Sequence, residues 1–171
     1  MNYSDKLLQF NATQKYHYEL QFLTQLVGNP KGDVLDFGCG NGFAVKEFRK
    51  NGINAFGHDA VNHNPDFNYA DPGAKYQMVY FMHSFAHVKN IREILIDLNC
   101  QEIIVITPNR AWLDLHQNKT YAPDPTVINH WYQSDLIELF ESLNFNVQIY
   151  GQFGELKGDQ NERLFIKARR K

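Results

Sequence analysis

The stretch Asp36-Phe37-Gly38-Cys39-Gly40-Asn41-Gly42 constrains the fold of this chain more than any other segment. It lies between a short apolar run, Asp33-Val34-Leu35-Asp36-Phe37, and a segment of helical spacing from Phe43 to Lys50 that Asn51-Gly52 closes. A strand that turns directly into a helix needs residues without side chains, so that the backbone can approach a ligand and face it with amides. Gly38, Gly40 and Gly42 meet that need. The dinucleotide fingerprint G-x-G-x-x-G is a close relative and holds a pyrophosphate. Here the third glycine follows the second by two residues, and Asp36 precedes the first by two. A carboxylate at that point repels a pyrophosphate and suits a ligand whose nearest group is a cationic amine. A tight turn with no ligand is the plain alternative.

A second acid strengthens the first signal. Asp59 stands 23 positions after Asp36, at the end of the next predicted strand, Ile53 to His58. There a carboxylate can accept hydrogen bonds from vicinal ribose hydroxyls, as acids at this place do in nucleoside-binding α/β folds. A strand-end turn former is the bland reading of the same residue.

The rest of the chain alternates. A helix is expected from about Ala12 to Val27, with Tyr16, Leu20, Leu23 and Val27 on one face and Gly28-Asn29-Pro30 as its stop. Asn62 to Gly73 has turn composition around one very short strand near Phe67 to Ala70. Tyr76 to Met82 is the next strand, a helix follows near Asn90 to Leu98, and Glu102-Ile103-Ile104-Val105-Ile106 has the continuous apolar character of a strand covered on both faces. Residues 110–133 show no sustained period, and that length suits a substrate lid. Ser134 is expected to cap a helix through Leu143, with strands near Asn146 to Tyr150 and Arg163 to Ala168. The pattern implies a largely parallel α/β sheet with ligands at the carboxyl ends of the strands.

Composition sets the outer bounds. With 171 residues, 43% of them hydrophobic, a single domain over 1–171 with one continuous core is expected. No run of about 18 apolar residues occurs, and Met1 to Lys6 does not lead into an apolar stretch, so no membrane span and a cytoplasmic location are expected. Cys39 and Cys100 are expected as free thiols. The net charge of −2 gives no global attraction to polyanions and weighs against nucleic acid as a partner.

These residues resemble the class I S-adenosylmethionine-dependent methyltransferases, and within them the small-molecule branch of ubiquinone-biosynthesis type. Val34 to Gly42 resembles the family's first motif, and Phe56-Gly57-His58-Asp59 its second. Tyr76 to Val88 resembles the fourth-strand motif, Ile104-Val105-Ile106-Thr107-Pro108-Asn109 the fifth strand and its Pro-Asn end, and His130 through Phe145 the late helix. Gln77, Ala86 and Asn144 depart from it, standing where Asp, Glu and Gly are usual. The resemblance implies a Rossmann-like three-layer sandwich with a mostly parallel, seven-stranded sheet whose last strand is antiparallel. It implies S-adenosylmethionine as donor, S-adenosylhomocysteine as product and a small-molecule acceptor. Asp36, Gly38, Cys39, Gly40, Asn41, Gly42, Asp59 and Ala60 would form the cofactor shell, with His83 bordering it. Asp71 would sit near the adenine amino group, although Asp71-Pro72-Gly73 is also an ordinary turn sequence.

Methyl transfer from a sulfonium is an in-line displacement, so positioning and exclusion of water dominate the protein's contribution. Where the acceptor loses a proton, a histidine is a suitable base. His83, directly after the strand Tyr76 to Met82, is the leading candidate, and His130 with Trp131 is placed to contact the acceptor or to pack the lid. His87 fits catalysis and helix packing equally. His83 and His87 have the i, i+4 spacing of a two-histidine metal pair, but no third ligand accompanies them and no metal is expected. Tyr16, Trp112 and Tyr121 are candidates for an adenine or acceptor pocket. A fold retained for nucleoside or partner binding, without catalysis, is the alternative function.

Overall fold

The computed structural model describes residues 9, 13–116, 126–153 and 162–171. Its elements in chain order are α1 (Gln14–Val27), β1 (Val34–Phe37), α2 (Phe43–Lys50), β2 (Ala55–His58), β3 (Tyr76–Met82), a single 3₁₀ turn (Phe85–His87), α3 (Ile91–Asp97), β4 (Cys100–Pro108), α4 (Arg110–His116), α5 (Gln133–Ser142), β5 (Phe145–Phe153) and β6 (Arg163–Arg170). The strands form one sheet in the order β2-β1-β3-β4-β6-β5. Strands β2, β1, β3 and β4 run parallel, and β6 is antiparallel to both β4 and β5.

Side-chain alternation on the inner strands creates the three layers. Met78, Tyr80, Met82, Ile104 and Ile106 face α1 and α2, where they meet Leu20, Leu23, Val45 and Phe48. Val79, Phe81, Ile103 and Val105 face the other way, onto Ile91, Leu95, Leu136 and Phe140 of α3 and α5. Helix α1 starts where the Thr13 hydroxyl accepts the Tyr16 amide at 3.2 Å, and it stops at Gly28, whose left-handed φ of 65° lets its N–H close on Thr24 O. No helix among the described residues is long and apolar enough to cross a membrane.

The structure corrects two expectations. The described sheet has six strands and not seven, because Phe67 to Ala70 forms none. Asn54 O and His58 O face β1, which turns the carbonyls of Ala55 and Gly57 outward along the free edge of β2. Arg49 Nε takes the first at 2.7 Å and Ala70 N the second at 2.7 Å, so a side chain and one amide close the edge that a further strand would cover. The second correction concerns α5, whose N-cap is Tyr132 and not Ser134. The Asp135 carboxylate reaches back to accept the Tyr132 amide at 3.3 Å, while the Ser134 hydroxyl donates to the same carboxylate.

Asn144, where glycine is usual in the resembled family, turns the chain from α5 into β5 with φ 64°. Its amide bonds to Glu141 O and its carbonyl accepts the Lys171 amide, so the left-handed conformation is held on both sides. Asn144→Gly is expected to keep or raise stability, by up to about 1 kcal/mol, and Asn144→Val to lower it by about 1–2 kcal/mol. Urea unfolding midpoints measure both, and equal midpoints for the two variants would remove backbone strain at this turn.

Candidate active site

The carboxyl ends of β1, β2, β3 and β4 deliver Gly38, Asp59, His83 and Asn109 to one end of the sheet. Because β6 is antiparallel, Arg163 at its start pairs with Pro108 and joins them. The glycine loop leaves β1 and folds back over the end of β2. Gly38 and Cys39 both donate to His58 O, at 2.7 and 3.0 Å, Gly40 N donates to Asp59 Oδ2 at 2.8 Å, and Gly42 N donates to Cys39 O at 2.9 Å. These four amides are engaged within the turn. Two of the glycines are likewise demanded by the protein. Gly38 has φ 83°, and a Cβ there would stand 2.2 Å from Ser84 Cβ; Gly42 has φ 77°, and a Cβ there would stand 2.3 Å from the Phe67 ring. The Asn41 side chain, one residue before the Gly42 N-cap of α2, accepts the Phe43 amide at 3.2 Å.

Two carboxylates flank the loop. Asp36 is 3% exposed, and burial raises its pKa from the ordinary carboxylate range to about 8, against the stabilising Tyr80 hydroxyl and with a small upward push from the Asp59 charge. Neither Asp36 Oδ1 nor the Tyr80 hydroxyl finds a partner at hydrogen-bonding geometry among the described residues. Tyr16 of α1 is close enough for the Asp36 charge to help raise its own pKa, after burial as the main cause. A cationic amine reaching Asp36 would supply the missing partner, so the residues present fit an amino-acid-bearing cofactor. Asp59 accepts one amide on each oxygen, from Gly40 on Oδ2 and from Val61 on Oδ1 at 3.0 Å, and His63 Nε2 lies 3.6 Å from Oδ1. Each carboxylate oxygen keeps a second lone pair for a ribose hydroxyl.

His83 takes a left-handed backbone, φ 65°, directly after β3, an uncommon conformation for a residue with a side chain. Its Nε2 meets the Glu19 carboxylate, which is 2% exposed and also accepts Arg163 Nε at 2.9 Å; Arg163 Nη1 in turn donates to Glu162 Oε1 at 2.9 Å. This ion network docks α1 over the end of the sheet, and the reading of the sequence missed it. The signal was available, since Glu19 falls on the apolar stripe of Tyr16, Leu20 and Leu23.

Other expected residues stand apart. His87 turns to Thr126, whose carbonyl lies 2.9 Å from Nδ1, so it diverges from His83. Asp71 is exposed and spends Oδ1 on the Gly73 amide at 2.9 Å, and its carbonyl accepts the Tyr76 hydroxyl at 2.7 Å; the structure joins it to the start of β3 and not to the glycine loop. Ala60 and His130 are exposed. Trp131 bridges to Asn109 and packs its ring 5.3 Å from Phe85. Tyr121 and residues 117–125 of the expected lid lie outside the described residues. A hollow of about 620 Å³ opens beside the edge of β2, lined by Arg49, Phe56, Lys75 and Tyr76 and, on the side of the glycine loop, by Phe67 and Tyr69.

A methyltransferase-domain family model matches residues 10–148. The chain belongs to that family. No curated protein matches it by sequence. Among solved structures, this methyltransferase domain superposes on the magnesium protoporphyrin IX methyltransferase of Synechocystis PCC 6803, solved with bound S-adenosylhomocysteine, with a TM-score of 0.67 and 17% identity over 100% of this chain and 89% of the other. A Listeria monocytogenes protein assigned as an S-adenosylmethionine-dependent methyltransferase gives 0.70 and 14% over 92% and 100%. The small RNA methyltransferase HEN1 gives 0.69 and 12% over 92% of this chain, which spans only 25% of HEN1. The fold is that of S-adenosylmethionine-dependent methyltransferases, with S-adenosylmethionine the implied donor.

The buried Asp36 carboxylate gives the ligand-free methyltransferase a pH signature. Its folded pKa of about 8 lies above the unfolded value near 4, so the native state binds the extra proton between those pH values. Stability of the ligand-free protein is then full near pH 4, as far as this group is concerned, and declines as pH rises toward 8. Asp36→Asn is expected to raise the melting temperature at pH 8 and to leave it near wild type at pH 4. An unchanged value at pH 8 would mean that Asp36 is solvated.

Proposed function

We propose that this methyltransferase holds S-adenosylmethionine at the glycine loop and transfers its methyl group to a small-molecule acceptor at oxygen, nitrogen or carbon. The observation that carries the reading is the buried Asp36 oxygen, which has no hydrogen-bond partner among the described residues and stands two residues before the glycines, at the same end of the sheet as Asp59. Asp36 would hold the methionine amine and Asp59 the ribose hydroxyls, with Gly38, Cys39, Gly40, Asn41, Gly42 and Ala60 shaping the backbone between them. Asp71 reaches the adenine only if its turn rearranges. The bound sulfonium supplies an activated methyl group, and the residues around it orient the acceptor and exclude water.

His83 is proposed as the base for a protic acceptor. Its ring is oriented by the Glu19 carboxylate, the arrangement by which a buried acid sets a catalytic imidazole. His130 and the segment 110–133 are assigned to the acceptor side as lid. Neighbouring folds serve acceptors as different as small RNA and magnesium protoporphyrin IX, so the small-molecule reading rests on the net charge of −2 and on the resemblance to the ubiquinone-biosynthesis branch. A cytoplasmic location agrees with that chemistry. The internal use of the loop amides favours a second reading, a fold kept for nucleoside or partner binding without turnover.

Titration calorimetry with S-adenosylmethionine and S-adenosylhomocysteine, and with a nicotinamide dinucleotide as control, tests the donor. Binding of the first two and not the third is expected, and Asp59→Ala should weaken it by roughly 1.5–3 kcal/mol, the range for hydrogen bonds to a charged group. Silence with both sulfur ligands would overturn the reading, and binding without turnover across a broad acceptor panel would move it to the second.

A further inference from the structure

We propose that Tyr69 is a positioning residue for the donor site, its hydroxyl locking the Gly40–Asn41 peptide so that the segment from Asp59 to Ala70 sets donor affinity from behind the loop. The inference rests on the donor-binding role given above. Gly40 is held on both sides by that one segment: its N–H donates to Asp59 Oδ2 at 2.8 Å, and its carbonyl accepts the Tyr69 hydroxyl at 2.8 Å. The hydroxyl has no rotational choice. Its oxygen accepts the amides of His63 at 3.0 Å and Asn64 at 3.2 Å, and its single proton is left for Gly40 O.

In a trans peptide the C=O and the next N–H point in opposite directions, so fixing Gly40 O fixes the direction of the Asn41 N–H. With a glycine on its N-terminal side such a peptide turns over more readily than one between two residues with side chains, and Gly40 itself sits at φ 56°. Two further links hold the same corner. Asn64 Nδ2 donates to Asn41 O at 3.3 Å, and Phe67 fills the space over Gly42 with its ring edge-on to Tyr69, centroids 4.9 Å apart. The strand expected at 67–70 would brace this corner by pairing along β2, but the contacts made there are the Ala70 amide on Gly57 O and the Ala70 carbonyl beside His58 Nδ1 at 3.2 Å. Tyr69 does that bracing with a side chain.

Tyr69→Phe keeps the ring against Phe67 and removes only the hydroxyl. Calorimetry with S-adenosylhomocysteine, well below the melting temperature, is expected to show a dissociation constant raised about tenfold, the consequence of losing one hydrogen bond. Leu143→Ala, in the second core and far from the loop, serves as control; it should lower the melting temperature and leave the dissociation constant unchanged, separating positioning from general stability. If Tyr69→Phe does not melt cooperatively, Asn64→Ser replaces it. Serine keeps a turn acceptor for the Asp66 amide but cannot reach Asn41 O, and a several-fold loss is expected. A Tyr69→Phe constant within twofold of a wild type that binds, or an unchanged one for Asn64→Ser where it is used, would overturn this inference alone. A wild type that gives no heat would overturn it together with the donor site.

Discussion

A carboxylate confined inside an apolar sheet governs much of this molecule. Asp36 lies at the end of β1 between β2 and β3, with α1 above it, and burial is the main cause that drives its pKa upward. A neutral side chain would be cheaper to fold around, because an ionised group out of water costs several kcal/mol unless it is paired. In the proposed donor-binding role, Asp36 sets stability against function. Burial makes the ligand-free protein favour the protonated acid, and a positively charged group at the loop would favour the ionised one. Such opposition is common where a binding site must leave a polar group unsatisfied until its partner arrives.

The surroundings of Asp36 are organised so that this local cost does not loosen the end of the sheet. The loop closes on His58 O and Asp59, Ser84 fills the space against Gly38, and Phe67 fills it against Gly42. On the opposite side, Glu19 draws His83 and Arg163 together and fixes α1 over the strand ends. Breaking one member of such a buried pair leaves an uncompensated charge, so the network holds its geometry firmly even if its net contribution to stability is small. That firmness is what a displacement reaction requires, since donor and acceptor must be in line within a fraction of an ångström.

Much of this was legible in the sequence because it depends on local pattern. The run Val34 to Phe37, the glycines and the spacing to Asp59 place a strand, a turn and a second strand end without knowledge of long-range contacts, and β3 and α2 appear with the expected bounds. What was not legible depends on groups distant in the chain. Glu19 and Arg163 are 144 positions apart, and only the antiparallel course of β6 brings them together. The missing strand at 67–70 has a different cause. Arg49 and Ala70 take the outward carbonyls of β2, so a side chain and one amide occupy the places where a ladder would form. The glycines were correctly seen as necessary but for an incomplete reason, since Ser84 and Phe67 require two of them whether or not a ligand binds.

The chemistry of this chain depends on where the donor sits. Amide chemical-shift mapping with S-adenosylhomocysteine locates it directly. The predicted result is that the largest changes fall on Gly38 to Gly42, on Asp59 and on His83, at the carboxyl ends of the strands. Changes confined to the hollow around Phe56, Lys75 and Tyr76 beside the edge of β2, or no changes at all, would contradict it.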